Sequence, residues 1–248
     1  MKKAYFLADL HLGASNTKTR LDEERQAVAF LDKIAADASE IFLMGDILDY
    51  WFEYKHVAPR GFVRFLGKLA MLADMGIKIT WLIGNHDIWI FDYIPEELNV
   101  EVIDGMVERD VLGHRFSLQH GDAIGGNRKF RWMRAVFRNR FCQKLYGAIH
   151  PRWTVGFAFN CSRKSRNAKL KEDYKPVELL PAIERWCNSR IAEGDKAEYF
   201  VMGHLHRSEK LDLDDGRKLI ILPPWMVLNG YGVFDGTDFR IEYFSNNS

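Results

Sequence analysis

The sequence predicts a layered α/β fold in which helices cover the outer faces of two sheets. In the first third of the chain, short apolar runs alternate with amphipathic stretches, as in strands that are joined by helices. Later, short apolar segments separated by glycine turns predict antiparallel strands. No run approaches the roughly 18–20 apolar residues of a membrane-spanning helix. We therefore expect one cytosolic domain over residues 1–248, with a single core.

The first half of the predicted fold alternates strands and helices. The apolar run 3–8 is the first strand, and 21–38 is a helix because Val28, Leu31 and Ile34 recur at helical spacing. Residues 41–44 return to a buried strand. Pro59 opens a second helix, since proline in a first helical turn loses no hydrogen bond, and Gly76 closes it. The run 77–83 is the next strand.

The second half is predicted to consist mainly of short strands. Residues 100–103, 106–112 and 115–119 surround the glycine turns at Gly105 and Gly113, which favour antiparallel pairing. Residues 177–191 have helical periodicity, and 197–202 is an apolar strand. The remaining strands are expected near 219–222, at 226–234 and at 239–244.

Residues 123–171, here called the basic insert, differ from the rest of the chain in charge. The formal net charge is only +1, yet the insert holds thirteen Lys or Arg and no Asp or Glu, which leaves 22 basic against 34 acidic residues elsewhere. Such segments usually face an anionic partner, and the alternative is a solvated helix face.

Part of the insert, residues 127–149, is predicted to be a basic amphipathic helix. Arg131, Arg134 and Arg138 lie on one face of it, and large apolar residues lie on another. This pattern is typical of an element that contacts a membrane surface or a lipid. Packing of the insert against the body explains the same pattern, so both interpretations stay open. The apolar face consists of Phe130, Met133, Val136, Phe137, Phe141, Leu145 and Ile149.

Five polar clusters each follow an apolar run, where a buried strand stops and a loop begins. In α/β folds, the carboxyl ends of neighbouring strands bring such loops together. Any one cluster alone favours ordinary turn chemistry. All five together favour a site for two divalent cations, because Asp, Asn and His suit Mn²⁺, Fe²⁺ or Zn²⁺. The clusters are Asp9 with His11, Asp46, Asn85 with His86, His120, and His204 with His206.

The order and spacing of these motifs resemble the calcineurin-like metallophosphoesterase superfamily. The resemblance implies a four-layer α/β/β/α metallophosphoesterase sandwich, with the basic insert as a helical lid. It also implies that Asp46 bridges two ions. Asp9, His11 and His206 would hold one ion, and Asn85, His120 and His204 the other.

The resemblance implies hydrolysis of a phosphoester by water. Two cations about 3.5–4 Å apart lower the pKa of water and neutralise charge on the phosphoryl oxygens. Asp46 and His86 are the expected catalytic residues. His86 is expected to donate a hydrogen bond or a proton to the leaving oxygen. Asp87 is expected either to orient an imidazole or to cap a turn, and Asp122 has the same two interpretations.

Other features resemble the UDP-2,3-diacylglucosamine diphosphatase family of the lipid A pathway. They are the start A-D-L-H-L, Asp46 running into Trp51, and the helical insert with its Asn-, Ser- and Lys-rich end. That family acts at the cytosolic face of the inner membrane on a lipid-linked sugar nucleotide, so Mn²⁺ and peripheral membrane contact are expected. The best-known members carry Arg in place of His86, so this chain is either a divergent branch with the same substrate or a neighbouring phosphoesterase with a similar lid. Implied substrate contacts are Asn85, His86, Arg163, Ser165, Asn167, Lys169 and His204.

Three alternatives remain. A nuclease would also use a basic surface with aromatic side chains, but Met133, Leu145 and Ile149 suit acyl chains better than bases, so no nucleic-acid partner is expected. A small-molecule phosphatase has no evident need for so large an insert. A non-catalytic binding scaffold would be expected to lack ligands, and the set is complete. The sequence leaves the oligomeric state open.

Overall fold

The computed structural model of the protein describes residues 2–14, 19–125, 128–169 and 179–245. It describes no side chains at 129–131, 159 and 163–169. The elements of the first half are β1 (Lys3–Leu7), α1 (Arg20–Ile34), β2 (Ala38–Leu43), α2 (Val63–Asp74), β3 (Lys78–Leu82), α3 (Tyr93–Leu98), β4 (Glu101–Ile103), β5 (Val107–Val111) and β6 (His114–Leu118).

The second half begins with the helices of the basic insert. The elements are α4 (Arg128–Arg138), α5 (Arg140–Gly147), α6 (Pro151–Lys169), α7 (Leu180–Ala192), β7 (Tyr199–Met202), β8 (Glu209–Asp212), β9 (Lys218–Ile221), α8 (Trp225–Leu228), β10 (Gly230–Phe234) and β11 (Phe239–Tyr243). None of the described helices combines the length and the apolar character that crossing a membrane requires.

The strands form two sheets. One has the order β11-β10-β1-β2-β3-β4, in which β1 to β4 are parallel and β10 and β11 are antiparallel to their neighbours. The other has the order β5-β6-β7-β9-β8, with β6, β7 and β9 parallel. Parallel pairing aligns the carboxyl ends of β1, β2 and β3 along one edge, and it does the same for β6 and β7.

The inner faces of the two sheets meet in an aromatic core. Phe6 of β1 stacks on Phe42 of β2 at 4.9 Å between ring centroids, and on Phe116 of the other sheet at 5.7 Å. The alternate residues Tyr5 and Leu7 point to the opposite face, where α1 and α2 cover them. Helix α7 covers the outer face of the second sheet. The predicted α/β/β/α layering is confirmed.

Several predicted boundaries are wrong. Helix α2 begins at Val63 instead of Pro59, because Gly61 and Phe62 have φ of 112° and 59° and break the helical path. The predicted strand 226–234 begins only at Gly230, since Pro224 starts the short helix α8. The sequence analysis also missed α3 and β8.

The predicted helix 127–149 is divided into two helices. Asn139 separates α4 from α5, and its side-chain oxygen accepts hydrogen bonds from the backbone N–H groups of Phe141 at 2.9 Å and Cys142 at 3.2 Å. This is an ordinary N-cap. The residues of the predicted apolar face that belong to α4 and α5 therefore lie on two helices.

Candidate metal centre

The loops that follow five strands carry the seven predicted metal ligands. Asp9 and His11 follow β1, Asp46 follows β2, and Asn85 follows β3. His120 follows β6, and both His204 and His206 follow β7. The centre therefore lies where the carboxyl ends of both sheets meet, as binding sites in parallel sheets generally do.

The backbone at these positions is unusual. Asp9, His11, Asp46, His204 and His206 all have positive φ, between 43° and 65°. Residues other than glycine adopt this left-handed conformation rarely, at an energetic cost that surrounding structure must offset. Its recurrence at five predicted ligands indicates that the loops are shaped to turn these side chains inward.

One group of donor atoms comes from the loops after β1 and β7. The Nε2 atom of His206 is 3.3 Å from Oδ1 of Asp9, and it is 3.4 Å from Nε2 of His11. The ligand atoms of these three residues all lie within 4.8 Å of one another. Atoms at these separations can reach a single cation.

A second group lies beside the first. The Nε2 atom of His120 is 3.4 Å from Oδ2 of Asp46, and it is 3.2 Å from Nδ1 of His204. Oδ2 of Asp46 is also 3.7 Å from Nε2 of His11, which belongs to the first group. Asp46 thus lies between the two groups. It also belongs to a third cluster, with His11 and His86.

The polar atoms of the centre fit cations. Oδ1 of Asp9, Oδ2 of Asp46 and Oδ1 of Asn85 are buried, and they lack a hydrogen-bond partner among the residues that the structure describes. Leaving a buried acceptor unpaired costs about 1–3 kcal/mol, and more for a charged one. Positive ions at this position would satisfy all three oxygens.

Two glycines make room for the centre. A Cβ atom on Gly84 would lie 2.2 Å from Oδ1 of Asp46, and one on Gly45 would lie 2.5 Å from Nδ1 of His120. Neither contact is tolerable, so the G-D and G-N-H-D motifs need glycine here for space.

The charges of the centre are strongly coupled. Burial alone would raise the pKa of Asp46, but attraction to His120 and His86 outweighs burial and holds that pKa well below its usual range. Burial lowers the pKa of His120, yet the Asp46 carboxylate outweighs it and raises that pKa to about 10. For His11, burial prevails and lowers the pKa to about 4. A cation that binds here must displace the proton of His120.

Groups behind the ligands orient them. The Nδ1 atom of His120 is 2.9 Å from the carbonyl of Met44, which can only accept, so Nε2 is the nitrogen left for the centre. Asp87 accepts from the N–H groups of Gly84 at 2.8 Å and Ile47 at 2.9 Å, and from the Trp81 indole at 3.1 Å. Among the residues that the structure describes, no hydrogen bond joins Asp87 to an imidazole, so of its two interpretations the structure favours the turn cap.

Sequence analysis missed Asp49 and Ser162. Asp49, 2% exposed, has its Oδ1 3.7 Å from Nδ1 of His11 and 3.4 Å from Nδ1 of His86. The Ser162 hydroxyl donates to Oδ1 of Asp49 at 2.6 Å. Asp49 follows Asp46 by three residues in an apolar stretch, which was the available signal. Nothing near Ser162 in the sequence points to a partner 113 residues away.

The basic insert is tied to the body around the centre. Asp122, two residues after His120, accepts from Nε of Arg134 at 2.8 Å. On the other side, the Trp89 indole donates to the Phe137 carbonyl at 2.9 Å. The insert therefore packs against the loops that hold the ligands.

Much of the apolar surface of the insert nevertheless stays exposed. Trp132, Phe141, Trp153 and Phe157 are 69%, 68%, 70% and 67% exposed, respectively. Phe137, in contrast, packs edge-on against Trp89, with ring centroids 5.8 Å apart. Packing against the body therefore explains only part of the apolar surface of the insert, and contact with a lipid or membrane stays open as an interpretation. The side chains of Phe130, Arg163, Ser165, Asn167 and Lys169 lie outside the described part of the structure.

Comparison with known proteins agrees with this geometry. The chain matches the family described as calcineurin-like phosphoesterase over residues 2–208. A Porphyromonas gingivalis protein named UDP-2,3-diacylglucosamine hydrolase is 38% identical over 254 residues, which cover 97% of each chain. Proteins of the same name from Shewanella sp. and Neisseria meningitidis are each 25% identical, over 90% and 91% of this chain and 89% and 90% of theirs.

Proposed function

Because the chain belongs to the calcineurin-like phosphoesterase family, we propose that it uses two divalent cations to hydrolyse UDP-2,3-diacylglucosamine. Water cleaves the diphosphate and yields UMP and 2,3-diacylglucosamine 1-phosphate, an intermediate of lipid A biosynthesis. The observation that carries the proposal is the complete set of buried Asp and His donors in a chain that matches its named relative over almost its full length.

Each donor has a role in this proposal. Asp46 would hold both ions, since its carboxylate lies between the two groups of imidazoles. The mixed Asp, Asn and His donors suit Mn²⁺, Fe²⁺ and Zn²⁺, and manganese is favoured among them by the resemblance to the diphosphatase family. When bound, the cations activate water and offset charge on the phosphoryl oxygens. One ion is assigned to Asp9, His11 and His206, and the other to Asn85, His120 and His204.

The phosphoryl group is proposed to lie against His86. This side chain is 9% exposed, and its ring meets that of His11 edge-on at 4.7 Å between centroids. From there, the ring with both nitrogens protonated would donate a hydrogen bond or a proton to the leaving oxygen. Asn85 and His204 are proposed to contact the substrate as well as an ion.

The basic insert is proposed to hold the lipid part of the substrate. Its exposed aromatic residues offer apolar surface to acyl chains, and its excess of Lys and Arg suits the diphosphate. Helix α6 carries Arg163, Ser165, Asn167 and Lys169, the proposed substrate contacts. The same surface supports peripheral association with the cytosolic face of the inner membrane. Residues 1–248 would then be one catalytic domain with a helical lid.

A substrate comparison tests this proposal. The purified protein with Mn²⁺ is given UDP-2,3-diacylglucosamine in detergent, bis(p-nitrophenyl) phosphate, or single-stranded DNA, and UMP, nitrophenol or nucleotide release is measured. We expect release of UMP from the lipid to exceed turnover of the other two at equal concentration. Activity on the generic diester without UMP release would refute the lipid assignment. Preferential cleavage of DNA would favour a nuclease.

A further inference from the structure

Ser162 of α6 lies at the junction between the basic insert and the metal centre. Its hydroxyl donates to Oδ1 of Asp49 at 2.6 Å, and its oxygen is 2.9 Å from Nδ1 of His86. Ser162 and His86 are each 9% exposed, so the junction is shielded from water. The three side chains come from the insert and from the loops after β2 and β3.

The hydrogen-bond directions around His86 follow from the partners. The carbonyl of Asp49 lies 3.1 Å from Nδ1 of His86, and a carbonyl can only accept. Nδ1 therefore carries a hydrogen. The single hydroxyl hydrogen of Ser162 is directed to Asp49, so the Ser162 oxygen also accepts from Nδ1. These contacts hold the ring of His86 by its Nδ1 edge.

We propose that Ser162 is a positioning residue that orients His86 toward the phosphoryl group. The inference rests on the proposed function in one respect, namely that His86 contacts the substrate. Because Ser162 belongs to α6, the orientation of His86 depends on docking of the insert against the loops of the centre. Asp49 also connects Ser162 to His11, since the carboxylate that accepts from Ser162 lies 3.7 Å from Nδ1 of His11.

A second residue of α6, Thr154, provides a matched control for substitution of Ser162. This residue is 5% exposed, and its hydroxyl lies 2.9 Å from the Tyr54 hydroxyl. Thr154 therefore joins the same helix to the body through a buried hydroxyl, at a place that does not contact His86 in the described structure. Thr154→Val removes this one hydroxyl contact of α6 and leaves the contacts of the His86 ring in place.

A double-mutant cycle tests the proposal. We expect Ser162→Ala to lower kcat about tenfold, the order of effect of one buried hydrogen bond, with KM changed less than about twofold. In a His86→Gln background the same change should alter kcat less than about twofold, because Ser162 acts through His86. Thr154→Val should leave kcat within about twofold of its parent in both backgrounds. Bis(p-nitrophenyl) phosphate and the lipid substrate are both used.

A measurement without substrate completes the test. The ring N–H proton of His86, assigned by its loss in His86→Gln, should be observable by NMR in the parent and exchange faster with water in Ser162→Ala. The proposal is overturned if Ser162→Ala leaves the exchange of the His86 proton unchanged, or if it lowers kcat equally in the parent and His86→Gln backgrounds. It is also overturned if Thr154→Val lowers kcat as much as Ser162→Ala does. Absence of UMP release with an intact NMR effect would instead refute the proposed function.

Discussion

Replacing Asp46 by asparagine tests the metal centre most directly. The change keeps the size of the side chain, and Oδ1 can still accept the backbone N–H of His86, now at 2.8 Å. It replaces the negative charge by a neutral amide at the position that lies 3.4 Å from Nε2 of His120 and 3.7 Å from Nε2 of His11. The amide nitrogen cannot bind a cation.

The expected loss follows from electrostatics. Two unit charges about 4 Å apart interact by about 4 kcal/mol at an effective dielectric constant of about 20. This energy corresponds to a factor of about 10³ in metal affinity, which is a lower limit because the cation is divalent. At a manganese concentration just sufficient for the parent, we expect Asp46→Asn to retain less than about one part in 10³ of the turnover.

Metal content and turnover are measured on the same preparations. Atomic emission after gel filtration gives bound manganese, and UMP release or diester hydrolysis gives turnover. Asp32→Asn is the matched control, because Asp32 is 58% exposed and pairs with Lys68 far from the centre. We expect parental behaviour from the control. An Asp46→Asn protein that keeps its manganese and a tenth of its turnover would refute the bridging role.

Three further outcomes are expected. Gly84→Ala should abolish turnover, because its Cβ would lie 2.2 Å from Oδ1 of Asp46. The control Gly67→Ala, whose Cβ meets nothing within 4 Å, should keep turnover and gain about 0.5–1 kcal/mol of stability in chemical denaturation. Equal activities of the two variants would contradict the steric argument. Because the pKa of His120 is about 10 without metal, manganese binding at pH 7 should release about one proton and tighten as pH rises toward that value. Calorimetry in buffers of different ionisation enthalpy detects the release, and its absence would count against His120 as a ligand. Manganese at about 100 times its Kd should stabilise the protein by about 2.7 kcal/mol, seen as a higher Tm that EDTA reverses, and an unchanged Tm would argue against a built site.

The positions of the proposed ligands at the strand ends could be predicted because their signal is local. An apolar run followed within two residues by Asp or His marks the end of a buried strand, and this pattern recurs before Asp9, Asp46, His120 and His204. The strand-end clusters, and with them the family and the layered fold, followed from such short-range patterns. The bridging and catalytic roles of these residues remain proposals that the experiments above address.

The errors have a different cause. The start of α2 and of β10 depended on backbone conformations at Phe62 and Asn229, which both have positive φ without being glycine. The division of the helix 127–149 had a visible signal, since asparagine is a common N-cap, but amphipathic periodicity across Asn139 concealed it. At Phe62, which is 3% exposed, tertiary contacts outweigh local propensity.

The sequence by itself determined which residues follow the strands, because a short apolar run followed by polar residues marks the end of a strand. It therefore also determined which donor side chains could line a common edge of the sheets. Only the tertiary structure decided that Asp46 lies between two groups of imidazoles, and that Ser162 of the insert contacts Asp49 and His86. Such contacts join residues many positions apart. Their geometry depends on how the two sheets and the insert pack, which no local pattern encodes.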